Sequence, residues 1–300
     1  MNPRKKSSEL VTLEMLNHRM PLSPDEKKRL AKLEKGYQGE KKFDGMLETL
    51  GQQAIILTDL LLETNNTKFQ IDSIVILQNM LYLFEVKNYE GDFYVEEDRW
   101  FTMSKREISS PIEQVNRSNL LLRQLLQQHG LHFQIKPYLL FVNDAFTLYQ
   151  APKDPTIVFP TQLSRFLENM RHEPATLGAR HKKVANKLLS LRTKENPCNI
   201  EYTYDQLKKG IVCAECGGFI THTYFNTLMC SECNHVELMD KAISRSVEEF
   251  LHLFPMKKIT LPTVYEWCGQ LLSKKKIREV LGKHYYLIRE GRASHYVRKE

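Results

Sequence analysis

Asp72, Glu85 and Lys87 are the residues of this 300-residue chain whose types and spacing suit a definite chemistry. Asp72 closes the triplet Gln70-Ile71-Asp72. Glu85 and Lys87 stand two apart in Phe84-Glu85-Val86-Lys87-Asn88-Tyr89-Glu90-Gly91. Two carboxylates and a lysine on one face of a small sheet suit a hard divalent cation and the phosphodiester it activates.

The flanking residues must bring them together. Residues 71–77 and 81–88 are β-branched, aromatic and apolar, and the pattern predicts two strands joined by a tight turn near Gln78-Asn79-Met80. Side chains alternate faces along a strand, so Glu85 and Lys87 share one. A two-residue loop at Gln78-Asn79 sets Asp72 opposite Glu85, and one at Asn79-Met80 sets it opposite Lys87. Either register gathers the three, whereas a three-residue loop separates them. Charges on otherwise buried strands are costly unless paired or metal-bound. Taken alone, the three residues also fit a purely structural Lys–carboxylate cluster at a strand end.

Their surroundings form an ordered series. Gly36-Tyr37-Gln38-Gly39-Glu40 opens a helical pattern with Phe43, Leu47 and Leu50 as its apolar stripe. Asp59-Leu60-Leu61-Leu62, the Asp72 strand, the Glu85-Val86-Lys87 strand and Trp100 follow. Ser110-Pro111-Ile112-Glu113-Gln114-Val115 then starts a helix running to about Gln128. Over residues 36–172 this series resembles the nuclease-related domain (NERD) family of the PD-(D/E)xK nuclease superfamily. It departs from the pattern at Ile71, where a proline usually precedes the first Asp.

The resemblance implies a restriction-endonuclease-like α/β fold, a mixed sheet flanked by helices. It implies that Asp72 and Glu85 bind catalytic Mg²⁺ or Mn²⁺ and that Lys87 positions the attacking water or stabilises charge growing on phosphorus. Glu40 becomes a further carboxylate near the metal, and Gln114 a residue orienting the metal site or the strand backbone. By themselves, Glu40 reads equally as a solvated helix charge and Gln114 as a helix-surface amide.

A second metal motif lies downstream. Cys213-Ala214-Glu215-Cys216-Gly217 and Cys230-Ser231-Glu232-Cys233-Asn234 form two CxxC turns joined by short β-like runs. Four thiolates at this spacing suit a closed, structural, tetrahedral Zn²⁺ site, and residues 205–241 read as a zinc ribbon. His222 and His235 are substitute ligands or neighbours. Cys198 and Cys268 have no partner motif, and Cys268 sits in an apolar helical pattern that suits a core thiol.

Residues 242–300 read as helix, turn, basic helix, strand, turn, strand, an order that resembles a winged helix-turn-helix. Ser273 is the expected N-cap of Lys274-Lys275-Lys276-Ile277-Arg278-Glu279-Val280-Leu281, with Gly282 ending the helix. Lys274, Lys275, Lys276, Arg278 and Lys283 are candidate phosphate contacts, with Arg292 at the wing tip. The other reading is a solvated basic helix in a protein–protein module.

Charge is uneven. The net is +4 over residues 1–35, −4 over 36–172 and +7 over 173–300. The expected catalytic domain is therefore acidic, and the tail is where a polyanion is attracted. Residues 1–35 read as a basic N-terminal extension, mobile to about residue 20 and then a charged helix from Glu26 to Lys35, and 173–204 read as a helical linker. No apolar run approaches the ~20 residues of a membrane span. The basic start (Arg4, Lys5, Lys6) lacks the apolar core of a secretory signal, so a cytoplasmic location is expected.

Two function classes follow. One is a divalent-metal-dependent DNA nuclease delivered to its substrate by the ribbon and the basic tail, with RNA also open and a homodimer suited to cutting two strands. The other is a catalytically inactive nuclease fold acting as a DNA-binding or regulatory protein.

Overall fold

The computed structural model describes residues 4–174, 176–194 and 200–299, apart from the side chain of Arg292. Cys198 and the Arg292 side chain lie outside the described residues. In chain order the elements are α1 (Ser8–Arg19), α2 (Pro24–Leu47), β1 (Ile55–Thr64), β2 (Thr67–Ile76), β3 (Met80–Lys87), β4 (Gly91–Glu96), β5 (Arg99–Thr102), β6 (Glu107–Ile108), α3 (Pro111–Gln128), β7 (Gln134–Phe141), β8 (Phe146–Tyr149), β9 (Ile157–Val158), α4 (Leu163–Arg171) and α5 (Ala179–Ser190). They continue with β10 (His222–Tyr224), β11 (Thr227–Met229), β12 (Val236–Leu238), α6 (Met239–Leu253), α7 (Leu261–Trp267), α8 (Lys274–His284), β13 (Tyr285–Ile288) and β14 (His295–Arg298). The chain divides into two units, Met1–Ser7 with Ala31–Asn196, and Ser8–Leu30 with Pro197–Glu300.

The first unit is built on a five-stranded mixed sheet of order β1-β2-β3-β7-β9. β1, β2 and β3 are antiparallel, while β3–β7 and β7–β9 are parallel. Asn65 and Asn66, both at positive φ, make the two-residue turn between β1 and β2, a conformation asparagine tolerates better than other side chains. Strand alternation divides the core between the two sheet faces. On one face Ile74, Ile76, Leu81 and Leu83 pack with Val115, Leu122 and Leu125 of α3 and with Val184, Ala185 and Leu188 of α5. On the other, Val75, Tyr82, Phe84 and Val86 pack with Phe43 and Leu47 of α2 and with Leu163, Leu167 and Met170 of α4. A smaller sheet, β6-β5-β4-β8, carries the buried Trp100.

The second unit contains the three-stranded sheet β10-β11-β12, then α6, α7 and α8, and the antiparallel pair β13–β14. Ile243, Val247, Ile277, Val280, Leu281 and Cys268 lie in its core. Ser273 caps α8 by accepting from the Lys276 N–H, and the helix runs past Gly282 to His284.

Two boundaries differ from the sequence reading. Residues 8–19, expected to be mobile, form α1. α1 buries Leu10, Leu13 and Leu16 in the second unit, and Arg19 lies there with its side chain fully covered. Residues 179–190, within the expected helical linker, do more than connect. α5 is basic on its outer side, yet it buries His181, Val184, Ala185 and Leu188 in the first unit.

Candidate active site and metal centre

The turn between β2 and β3 decides what the sheet presents. The Leu77 N–H donates to the Met80 carbonyl at 2.9 Å, leaving Gln78-Asn79 as a two-residue loop. Ser73 pairs with Phe84, and one further step of that register sets Asp72 opposite Glu85. Gln78 is also tied down from outside the sheet. Its carbonyl accepts from Arg180 and contacts His181 Nε2, each at 2.8 Å.

Asp72 and Glu85 are 8% and 3% exposed. Asp72 Oδ2 accepts the Val86 N–H at 2.7 Å, which fixes its carboxylate over β3. Lys87 Nζ donates to Glu85 Oε1 at 2.7 Å and to Gln114 Oε1 at 2.8 Å. Gln114 reaches the sheet from the first turn of α3, whose start is set by Ser110 accepting from the Glu113 N–H, with Pro111 at the first helical position. Glu85, Lys87 and Gln114 are thus one bonded chain of side chains, with Asp72 on the adjoining strand.

Glu40 arrives from α2, and Gly39 is what lets the helix come so near. A Cβ there would lie 2.4 Å from Asn88 Cβ at the end of β3. Asn88 Nδ2 in turn donates to the Lys35 carbonyl at 2.7 Å. Burial and the Asp72 charge raise the Glu40 carboxyl to about 8, against the pull of Arg4. Burial and Asp72 likewise raise Glu85 to about 7, against Lys87. Burial lifts Asp72 as well, opposed by the Val86 N–H and by Lys87. Burial alone would lower Lys87, but the neighbouring Glu85 outweighs it and holds the ammonium above its ordinary value. Crowded carboxylates that resist ionisation together are the electrostatic setting a divalent cation relieves.

Three neighbours were not singled out as site residues from the sequence. Asp59 sits opposite Asp72 in the β1–β2 register, at φ 52°, and its charge raises both Glu40 and Asp72. Asp59, Asp72 and Glu85 therefore form a row across three adjacent strands. Asp44, one helical turn beyond Glu40, is 4% exposed, and Arg4 bonds to both. The signal for Asp44 was its i, i+4 spacing from Glu40. Nothing in the sequence points to Arg4.

The four cysteines are held by two equivalent turns. After the second cysteine of each CxxC stands a residue in the left-handed region, Gly217 (φ 76°) and Asn234 (φ 58°). The Gly217 N–H donates to the Cys213 carbonyl and the Asn234 N–H to the Cys230 carbonyl. Gly217 is further constrained, because a Cβ there would lie 2.0 Å from the His18 ring. The Cys213–Cys233 and Cys216–Cys230 sulfurs are 3.7 and 3.5 Å apart. These separations exceed a disulfide bond and match the ~3.8 Å edge of a tetrahedron with bonds of ~2.3 Å. N–H groups of Cys233 and Glu232 lower the Cys230 thiol to about 7, favouring the thiolate a metal needs. Among the described residues, this is the one group of three or more Cys, His, Asp or Glu whose ligand atoms lie within 4.8 Å of one another. The carboxylates are more widely spaced.

Residues 35–142 match the model of the nuclease-related domain. That stretch holds Glu40, Asp59, Asp72, Glu85, Lys87 and Gln114. The mixed sheet flanked by helices fits a nuclease-like fold, and the nuclease-related domain suggests a nucleic-acid partner. Comparisons with curated proteins and with solved structures returned no match.

Outside the matched segment, the basic residues of α8 differ in their partners. Lys276 and Lys283 each reach Asp240 at 2.7 Å, and Lys283 also contacts Glu279 at 3.1 Å. Lys274 lies over the Tyr265 ring at 4.9 Å. Lys275 and Arg278 are exposed on the helix. Among the described residues, no helix is long and apolar enough to cross a membrane.

Proposed function

We propose that the chain is a divalent-metal-dependent nuclease that hydrolyses DNA phosphodiester bonds. The observation that carries this is the meeting of Asp72, Glu85, Lys87 and Gln114 on one sheet face inside the segment that matches the nuclease-related domain. Asp72 and Glu85 would hold Mg²⁺ or Mn²⁺, oxygen-seeking ions suited to carboxylates, with Glu40 beside them. When bound, the ion polarises the phosphate and lowers the pKa of a coordinated water. Lys87, kept charged by Glu85, orients that water and stabilises the negative charge that develops on the phosphoryl oxygens. The water gives up a proton to solvent as its oxygen bonds to phosphorus, the bond from phosphorus to the leaving sugar oxygen breaks, and that oxygen takes up a proton from solvent. Gln114 holds the Lys87 ammonium in place through the reaction.

In this reading Cys213, Cys216, Cys230 and Cys233 hold a structural Zn²⁺, and four thiolates leave it no open position. The helix–helix–strand–strand order of α7, α8, β13 and β14 acts as a winged-helix-like DNA contact, with Lys275 and Arg278 toward phosphate. The net charge of +7 over residues 173–300 offsets the acidic nuclease-related domain.

A second reading, a nuclease fold that binds nucleic acid without cutting it, is favoured by one observation. The carboxylates do not close on one another as the cysteines do.

Cleavage of supercoiled plasmid and of labelled single- and double-stranded DNA with Mg²⁺ or Mn²⁺ separates the two. The nuclease reading expects cutting by the wild type and its loss, by about 10²-fold or more, in Asp72→Ala and Lys87→Ala with zinc retained. No cutting by folded wild type, with salt-sensitive DNA binding that survives both substitutions, supports the binding protein instead.

A further inference from the structure

Arg4 lies outside the matched segment, yet it is the most heavily bonded charged residue around the carboxylates. Its side chain is 2% exposed. Nη1 donates to Glu40 Oε2 at 2.7 Å. Nε and Nη2 grip the two oxygens of Asp44 at 2.7 and 2.9 Å. Nη2 also donates to the Asp72 carbonyl at 2.7 Å and to Ser73 Oγ at 3.1 Å. Each guanidinium nitrogen therefore has a partner, and the fork-on-fork pairing with Asp44 fixes the plane.

The sides of the sheet matter here. Ser73 points away from the face that carries the Asp72 carboxylate, toward the face on which Phe43 and Leu47 of α2 pack. Arg4 thus bridges α2 to the backbone of β2 at the very residue whose carboxylate is turned to the Val86 N–H of β3. It meets Asp72 through the carbonyl, not the carboxylate, and it does not bond Glu85, Lys87 or Gln114. A side chain standing in the cation's place would instead bond the carboxylates of Asp72 and Glu85. Glu40 is held by one oxygen only, which leaves Oε1 without an arginine contact.

We propose that Arg4 is a positioning residue of the carboxylate site, tying Glu40 and Asp44 of α2 to the β2 backbone and so setting the reach of Glu40 toward the cation that Asp72 and Glu85 would hold. The inference rests on the metal-dependent reading above. It makes Arg4 part of the site's supporting structure, although it lies more than thirty positions before the matched segment.

The test is Mn²⁺ binding to the full chain, followed by the paramagnetic resonance of free Mn²⁺. The proteins are wild type, Arg4→Ala, Arg4→Lys, Glu40→Gln and the Arg4→Ala/Glu40→Gln double variant, each with Tm and zinc content measured. Removal of a group that orients a metal ligand weakens the metal by about 10-fold or more, so Arg4→Ala is expected to lose that much. Arg4→Lys keeps the charge without the fork and should lose less. In the Glu40→Gln background, Arg4→Ala should add little, because both changes act through one carboxylate. A merely structural Arg4 would lower Tm and leave the Kd of folded protein unchanged, which overturns the inference. Tighter Mn²⁺ binding by Arg4→Ala overturns it too, since the arginine would then be the cation's competitor. If Arg4→Ala does not fold, an unchanged Kd in Arg4→Lys is the overturning result. A folded wild type that binds no Mn²⁺ at its carboxylates overturns the metal-dependent reading and this inference together. Normal wild-type binding that ignores Arg4 overturns the inference alone.

Discussion

The cysteine cluster and the carboxylate cluster are both candidate metal sites, and they are built in opposite ways. Two copies of one local turn, each closed by a residue at positive φ, set the four sulfurs at tetrahedral spacing. The carboxylates come from α2, β2 and β3, their charges are shared out among Arg4, Lys87 and the Val86 N–H, and they stay apart. A structural metal needs a closed ligand set that forms with the fold. A catalytic metal needs ligands that leave room for water and phosphate. On the proposed nuclease reading the difference in spacing suits those two tasks, and on the binding-protein reading it marks a site that holds no catalytic metal.

The sharpest way to break the comparison is to remove one sulfur. Cys216→Ser should release zinc and unfold the second unit, because a structural zinc site contributes about 10–16 kcal/mol of apparent binding free energy that is also folding free energy. Near-ultraviolet circular dichroism at Trp267 and zinc content would check this. An intact fold without zinc would place the cluster among ordinary thiols. No comparable unfolding is expected from Asp72→Asn, whose effect should fall on cleavage and Mn²⁺ binding.

The next effect in size belongs to a buried ion pair of the second unit. Arg19 donates to both oxygens of Glu249 at 2.8 and 2.6 Å, to the carbonyls of Lys208 and Gly210, and lies 3.8 Å over the Trp267 ring. Arg19→Ala leaves Glu249 uncompensated and should cost about 3–5 kcal/mol. Urea unfolding reads this directly, and a loss under 1 kcal/mol would return α1 to the status of an extension.

A smaller effect tests the electrostatics of the carboxylates. Glu40 and Glu85 titrate near 8 and 7 in the folded chain, above the ordinary 4.5. Between about pH 4.5 and 8 the folded state therefore holds protons that the unfolded state has released. With more protons bound in the folded state, stability falls as pH rises through that window. The metal-free first unit should melt progressively lower from pH 5 to 8, and Glu40→Gln should flatten the trend. Mn²⁺ should oppose it, binding more tightly as pH rises. A metal-free melting temperature that climbs across this range would contradict the assignment.

The smallest expected change is at α8. Arg278→Ala should reduce the salt dependence of DNA binding by about one unit of slope, as loss of a single phosphate contact does. Lys283→Ala should change it less, because Asp240 and Glu279 already engage that ammonium. Equal effects would mean the Asp240 pairing breaks on binding.

The two sites were also unequally legible in the sequence. Metal-ligand spacing is local in the CxxC turns, so four ligands could be read directly. The strand pair carrying Asp72, Glu85 and Lys87 was legible from its apolar alternation, but the register depended on a turn whose length the residues left open. The Leu77–Met80 bond closes that choice. α1 was not legible because Glu9, Glu14, His18 and Arg19 interrupt Leu10, Leu13 and Leu16, whose spacing of three marks a buried helical stripe. α5 was legible as a basic helix, but its burial was not, with Arg180, Lys182 and Lys183 masking Val184 and Leu188. Arg4 could not have been found: its partners lie 36 to 69 positions away, and such contacts have no signature in a single chain.

The most direct measurement takes both clusters at once. The full chain is treated with a chelator of moderate strength, its bound metals are counted, and DNA cleavage is followed as Mn²⁺ is returned. We expect one zinc per chain to survive, cleavage to vanish with the loosely held ion, and Mn²⁺ to restore it in the wild type but not in Lys87→Ala. Cleavage that persists with zinc alone, or fails to return with Mn²⁺ in a folded chain, would contradict the division into a closed structural site and an open catalytic one.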